Sequence, residues 1–384
     1  MPSSLAAITH AKPPAASYSS VHQLAQAINT PLVKALRHPW VQSIVRLDAV
    51  EDALTALHPL LSLTDVRARV VSIVEETTTT KTFLLQPNAL WAGAQAGQFV
   101  RVQLEMNGRR VERAYSLSSR PGARRIAFTV KRQDQGLVSS HLHKAIKVGD
   151  VLTISQALGE FTLPAMLPGK ILLLSAGSGI TPVMSMLRDL KARDYQGDVV
   201  FVHVCRALDD LIFAAQLKAL ADDFAGMRLV LHYDASTGAF TPSVLAQQVP
   251  DLAERSSWMC GPAGFMDAIS SYWDAQGLAS PLFSERFVGA PVLPSTAPGT
   301  PVQVAFVKSG TTFTTHGTAP LLVQAERAGL SPKHGCRIGI CRSCQCVKTS
   351  GTVENLQTGE VSSAPNELIR LCISTARSDV ALAL

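Results

Sequence analysis

The chain reads as a multidomain protein: a small antiparallel β-barrel, an α/β nucleotide-binding unit and a cysteine-bearing α+β unit, preceded by a helical N-terminal extension. Changes of texture near Val66 and Lys170, and a cysteine series close to the C-terminus, carry that prediction. At 384 residues the chain is long enough for two or three units, each burying a core of its own.

Residues 1–20 are rich in Ala, Ser and Pro and read as disordered. Over 21–63 apolar residues recur at intervals of three or four, as in Val41, Ile44 and Val45, then Val50, Leu54, Leu57 and Leu61. That period predicts helix. No Asp or Glu precedes Asp48, whereas Lys12, Lys34, Arg37 and Arg46 do, so within the N-terminal extension 1–64 the stretch 1–47 is basic. From Val66 the period shortens to alternation, as in 67–74 and 99–104, with Gly and Pro turns between. A barrel over 65–166 is expected.

The run 171–174 is continuously apolar, as suits a strand buried on both faces, and a glycine turn and helical pattern follow it. Segments 199–204 and 229–232 repeat the strand type, which predicts an α/β dinucleotide fold over 167–290. Residues 291–301 hold four prolines with Ser, Thr and Gly, the composition of a linker. Residues 302–384 make the last unit. In it Cys336 and Cys341 are separated by four residues, Cys341 and Cys344 by two, and Cys372 stands alone. This is the plant-type spacing for a 2Fe–2S cluster, with thiolates as soft ligands. Gly335 and Gly339 let the loop turn tightly and aim amides at the sulfurs. Cys346 is assigned to the strand 345–347 instead. The competing reading is structural zinc, but a typical zinc ribbon needs a second Cys-x-x-Cys pair, which is absent.

Several classes are excluded. A net charge of +6 without an aromatic-interleaved basic patch gives no case for nucleic acid. Seven cysteines, four of them candidate ligands, do not make a disulfide scaffold and suit a reducing cytoplasm. The most apolar run, 171–186, is cut by Gly177, Gly179 and Pro182 and cannot span a bilayer. There is no leader pattern at the start, so a cytoplasmic location is expected.

Arg113-Ala-Tyr115-Ser116-Leu117 ends a barrel strand, and Gly136-Leu137-Val138-Ser139 follows downstream. Together they resemble the two flavin-binding elements of the ferredoxin–NADP reductase superfamily. The resemblance implies that Tyr115 packs on the isoalloxazine and that the Ser116 hydroxyl bonds near its reactive N5. Arg113 and 136–139 would hold phosphates, as suits a guanidinium and helix-start amides. FAD is the expected flavin, with FMN used by some relatives that carry a C-terminal ferredoxin domain. Ser175-Ala-Gly177-Ser-Gly179-Ile-Thr181-Pro182 turns from strand into helix, where glycines permit close approach of a pyrophosphate. In this superfamily a Cys-Gly-Pro, here Cys260-Gly261-Pro262, lies beside the nicotinamide. Glu285 and Phe287 fall where relatives place an acidic or aromatic residue near the flavin. Arg206 could pair with a 2′-phosphate and favour NADPH, while Asp209 and Asp210 keep NADH open. Read plainly, His141 and His143 are helix surface and Cys205 is core.

Similarity runs from Asp65 to the end, in the domain order of reductases that serve oxygenases and desaturases, with a β-grasp-like ferredoxin domain last. It implies hydride transfer from NAD(P)H to flavin, then single electrons to a cluster near about −400 mV. The stretch 57–63 resembles reductases of membrane-bound fatty-acyl desaturases, so a diiron desaturase is the first expected acceptor. The basic extension could then rest peripherally at the inner face of the membrane, each Lys or Arg adding about 1 kcal/mol. The alternative acceptor is a soluble diiron or Rieske oxygenase acting on aromatic rings or alkanes. A zinc-stabilised non-redox binding protein is the reading from another class.

Overall fold

The computed structural model describes residues 47–106, 109–134, 136–287, 300–317, 319–334, 339 and 344–384. The expected disorder over 1–20, most of the linker, and Gly335, Cys336 and Cys341 lie outside the described residues.

Helix α1 (Leu47–Leu57) opens the described chain. The helical pattern was expected to run to Leu63, but the helix stops at Leu57, and 58–65 are turns and coil. Pro59 is the reason, because its ring disfavours helical backbone at His58. The helix meets the barrel through polar groups. Glu51 pairs with Arg67 at 3.0 Å, and Arg67 also donates to Thr55 Oγ1 at 2.9 Å. Leu57, at the end of the helix, is left 77% exposed, while Leu54 is half-buried.

The barrel comprises β1 (Val66–Thr77), β2 (Thr80–Pro87), β3 (Phe99–Met106), β4 (Arg109–Ser116), β5 (Ile126–Lys131) and β6 (Val151–Ile154). Its antiparallel order is β4-β3-β6-β1-β2-β5, and a bridge from Leu117 to Phe128 closes β4 onto β5. Closure removes the open edges of the sheet. Inward residues such as Val70, Phe83, Val100 and Phe128 alternate with outward ones and fill the interior. Helix α2 (Leu137–Lys144) covers one end, with Val138 and Leu142 buried in that core.

The second unit is a parallel sheet of β7 (Lys170–Ala176), β8 (Asp198–Cys205), β9 (Met227–Tyr233), β10 (Ser256–Cys260) and β11 (Leu282–Glu285), in the order β11-β10-β7-β8-β9. Ile171, Leu173 and Phe201 face one core with α3 (Ile180–Ala192). Leu172, Leu174 and Val202 face the other with α6 (Ala263–Ala275), which follows α4 (Ala214–Asp223) and α5 (Pro242–Gln248). Two covered faces explain the unbroken apolar run. The chain progresses outward through β8 and β9, then returns to the other side of β7 at β10. The crevice between the carboxyl ends of β7 and β10 is therefore the switch point where such sheets bind ligands.

The third unit holds β12 (Val302–Phe306), β13 (Thr311–Thr315), α7 (Leu321–Arg327), β14 (Gln345–Ser350), β15 (Val353–Asn355), β16 (Val361–Ser362), β17 (Glu367–Arg370), β18 (Ser374–Ala376) and β19 (Val380–Leu382). Its main sheet runs β13-β12-β19-β14-β17, with β12 and β19 parallel, and α7 buries Leu321, Leu322 and Ala325 in the same core. That is a β-grasp layout. Lys348 is fully buried, donating to the carbonyls of Gly351 and Ser362 at 3.0 and 2.9 Å and pairing with Glu367 at 3.2 Å. A buried ammonium needs such partners, and here it ties the main sheet to the smaller one.

Candidate functional site

A cleft of about 590 Å³ opens between the barrel and the parallel sheet. One wall is the end of β4. Antiparallel register sets Arg113, Tyr115 and Ser116 opposite Val102, Val100 and Phe99 on β3. The Tyr115 ring stacks on Phe128 with centroids 5.3 Å apart, and Phe128 stacks in turn on Phe83. Burial pushes the Tyr115 phenol well above its usual range, against the pull of the Arg113 cation. The ring is therefore a fixed, neutral surface at the cleft.

The second wall is the start of α2. Gly136 is its N-cap and offers no side-chain cap, so first-turn amides are left for another acceptor. A Cβ on Gly136 would fall 2.4 Å from Ser139 Oγ and 2.8 Å from Gln133 Cβ, so a side chain here would have to displace both. Ser139 Oγ accepts from the Gln133 amide at 3.1 Å and so pins the turn before the helix. Lys131 and Gln133, which sequence reading had not singled out, join Arg113 and 136–139 in lining this side. A cation, a second basic side chain and an open helix start form a donor set suited to phosphates.

The third wall comes from the α/β unit. Ser178 and Thr181 line the cleft, while Gly177, Gly179 and Pro182 shape the backbone beneath them. Gly177 has φ +52°, in the left-handed region. A Cβ on Gly179 would lie 2.2 Å from the Cys260 carbonyl oxygen, so glycine lets this turn seat directly on Cys260-Gly261. Cys260 is fully buried, and burial first, then the Glu285 charge, pushes its thiol far up. Pro262 is the N-cap of α6. Gly261 has its own crowding, since a Cβ there would meet the Phe265 ring at 2.8 Å.

Glu285 ends β11 in register with Cys260, and its Oε2 accepts from the Ser116 hydroxyl at 3.4 Å, joining the two units across the cleft. Burial pushes the Glu285 carboxyl up to about 7, with the Ser116 hydrogen bond opposing. Phe287 also lines the cleft. Further contacts fix the two units together. Ser185 donates to the Ser119 carbonyl at 2.6 Å, the Phe213 amide to Glu76 at 3.2 Å and Arg188 to the Ser118 carbonyl.

Of the sequence-predicted residues, Arg113, Tyr115, Ser116, Gly136, Leu137, Val138, Ser139, Thr181 and Phe287 line the cleft. Leu117, Gly177, Gly179, Pro182, Cys260, Gly261 and Pro262 stand behind it or beside it, and Arg206 is exposed just beyond β8. His143 is half-buried rather than plain surface, and its Nε2–H donates to the Val130 carbonyl at 2.8 Å. Cys205 packs in the core of the α/β unit. Phe99, Thr129 and Glu285 reach the cleft from β3, β5 and β11. Only Glu285 had a sequence signal, its place beside Phe287.

In the third unit Cys344 and Cys372 are both buried, and the Gly339 amide donates to Cys372 Sγ at 3.1 Å. An amide aimed at a sulfur suits a thiolate that binds metal. Cys346 lies on β14, packed in the same core with its thiol pushed up by burial.

Comparison with known proteins accords with this geometry. Residues 67–163 match the oxidoreductase FAD-binding domain, 173–271 the oxidoreductase NAD-binding domain and 306–377 the 2Fe-2S iron-sulfur cluster binding domain. An NADPH oxidoreductase of Mycobacterium tuberculosis is 35% identical over 360 residues, 90% of this chain and 93% of the relative. The glycine betaine monooxygenase reductase subunit of Pseudomonas aeruginosa is 29% identical, spanning 82% of this chain and 94% of its own. Among solved structures, phthalate dioxygenase reductase superposes with a TM-score of 0.58 at 25% identity, over 84% of this chain and 98% of that one. Among the described residues no helix is long and apolar enough to cross a membrane. FAD, NAD(P)H and a 2Fe–2S cluster are the cofactors these domains bind, and the chain belongs to the oxidoreductase family that joins FAD-binding, NAD-binding and 2Fe–2S domains, in that order, in one polypeptide.

Proposed function

We propose that this chain is a reductase that passes electrons from NAD(P)H through FAD and a 2Fe–2S cluster to a diiron partner, with domains over 65–166, 167–290 and 302–384. The observation that carries it is the cleft, in which an aromatic wall, a phosphate-suited wall and a glycine turn at the sheet switch point meet. When bound, the flavin accepts a hydride and releases electrons one at a time, which is the conversion this pairing of domains needs.

The residues divide that work. Arg113, Lys131 and the amides of 136–139 hold phosphates by charge-assisted hydrogen bonds. Tyr115, braced by Phe128, supports one face of the flavin ring, with Leu117 anchoring the strand end. Ser116 is oriented by Glu285, whose carboxyl, held up by burial, can carry a proton at the cleft. Cys260 is small, buried and neutral, so it leaves room for the nicotinamide without placing charge beside it. Gly177, Gly179, Thr181 and Pro182 with Gly261 and Pro262 form the dinucleotide turn, and Arg206, exposed just past β8, would supply a cation to a 2′-phosphate, with Asp209 and Asp210 nearby leaving NADH open. Cys336, Cys341, Cys344 and Cys372 are the cluster ligands.

For the acceptor, a membrane-bound fatty-acyl desaturase is our proposal. It rests on the resemblance around 57–63, the basic N-terminal stretch and the exposure of Leu57 on α1. A peripheral position at the inner face of the membrane would follow. The soluble-oxygenase reading is favoured by relatives named as betaine and ketosteroid monooxygenase reductases. The test is reconstitution of the purified chain with NADPH or NADH and either a desaturase-bearing membrane fraction or a soluble oxygenase. Unsaturated fatty acid formed only with the full-length chain, and lost without residues 1–47 while cytochrome c reduction persists, supports the desaturase. No desaturation with any candidate, beside turnover with an oxygenase, replaces it.

A further inference from the structure

Gly339 is held from two sides. Its amide donates to Cys372 Sγ at 3.1 Å, and its carbonyl accepts a hydrogen bond from Arg370 Nη1. Its φ is +80°, and a Cβ there would fall 2.8 Å from Ile373 Cδ1, so the position needs glycine and has little slack. Arg370 ends β17, half-buried, in register with Gln345 next to Cys344. Glu367, at the start of the same strand, is engaged with Lys348. The guanidinium therefore brings its charge to the cluster loop, two residues before one candidate ligand and beside another.

We propose that Arg370 is a positioning residue of the iron–sulfur site: it clamps Gly339 so that the amide stays on Cys372 Sγ, and its charge raises the reduction potential of the cluster. The inference rests on the proposed ligand role of Cys372. Four thiolates leave a 2Fe–2S cluster anionic, and reduction adds one more negative charge. A fixed cation and a hydrogen bond to sulfur both favour the reduced form, two of the known determinants of cluster potential. The effect is to draw electrons from the flavin onto the cluster.

The test uses the full-length holoprotein and two variants. Arg370→Gln removes the charge and, with its donor two bonds closer to the backbone, loosens the clamp; Arg370→Lys keeps the charge without the planar fork. Iron and acid-labile sulfide report cluster content, and a redox titration followed by electron paramagnetic resonance reports the potential. Arg370→Gln is expected to keep flavin and cluster while reduction becomes about tenfold less favourable, about 59 mV for a one-electron couple. Arg370→Lys is expected to stay within about twofold of the parent, at about 18 mV by the same constant, and to lose iron faster to a chelator. A Gln variant within that twofold, or a Lys variant shifted as far as the Gln one, overturns the proposal. Should the Gln variant hold no cluster, the Lys variant decides alone: a parent-like potential with faster iron loss supports it, and a shifted potential overturns it. A cluster of parental stability in Cys372→Ser would overturn the ligand assignment instead.

Discussion

The cleft and the cluster domain solve the same problem, holding a redox group, by opposite routes. The cleft gathers side chains from Phe99 to Phe287, across two folded units, and its last polar contact joins Ser116 to a residue 169 positions away. The candidate cluster ligands fall between 336 and 372, inside one small unit. A site made by distant strands depends on barrel closure, sheet register and the seating of one unit on the other. A site made by a loop depends on ligand spacing and a few local clamps. Damage should therefore be all-or-none at the cluster and graded in the cleft.

The largest effect should come at the ligands. Serine at Cys344 or Cys372 should abolish the visible cluster signal and cytochrome c reduction while flavin content stays near parental. Cys346→Ser should keep the cluster. Iron lost from the Cys346 variant and kept in the Cys344 one would reverse the contrast drawn between a spaced motif and a core thiol. Next is Arg113→Ala, which leaves buried phosphate without its cation, a loss of roughly 2–5 kcal/mol in flavin binding. The purified variant should be flavin-poor yet retain cluster absorbance. Stoichiometric flavin would move the phosphate site off β4.

The same contrast explains what could be read beforehand. Cysteine spacing and the string around Tyr115 are local, so the sequence displays them directly. The strands at 171–174 and 199–204 were legible because burial on both faces demands unbroken apolar runs. Phe99, Thr129 and Lys131 have no such signature; Phe99 faces the cleft because β3 pairs with β4 there, and Thr129 and Lys131 because β4 closes onto β5. Glu285 sits on an edge strand whose partner, Cys260, is fixed by parallel pairing and not by proximity in sequence. Helix α1 misled for a physical reason as well. Its apolar period continues past Pro59, but the helical backbone does not, and Glu51 and Thr55 bond Arg67 of the barrel through polar groups that the period does not display.

Gly179→Ala probes the seam between the two units that form the cleft. The new methyl would press on the Cys260 carbonyl, whose backbone cannot swing aside as a side-chain end could. Overpacking of this kind costs about 1–3 kcal/mol. The expected outcome is a weakened NAD(P)H interaction, seen as a raised KM, with flavin and cluster spectra intact. A parental KM would mean that the dinucleotide passes elsewhere.

The smallest effect is a pH dependence at Glu285. Its carboxyl is held up at about 7 in the folded protein, mainly by burial, against an ordinary value near about 4.3 when exposed. Between those values the folded state binds more protons at this site than the unfolded state, so ∂ΔG/∂pH is negative there. The contribution is fully present below about 4.3, is lost progressively as pH rises through about 7, and is flat beyond. Glu285→Gln removes the titration while keeping a group that can accept from Ser116. Urea midpoints of the two proteins, compared from pH 4.5 to 7.5, should therefore diverge in favour of the variant as pH rises. A constant gap would mean that the carboxyl titrates in its ordinary range, and that the Ser116–Glu285 contact spans a wet cleft and not a dry one.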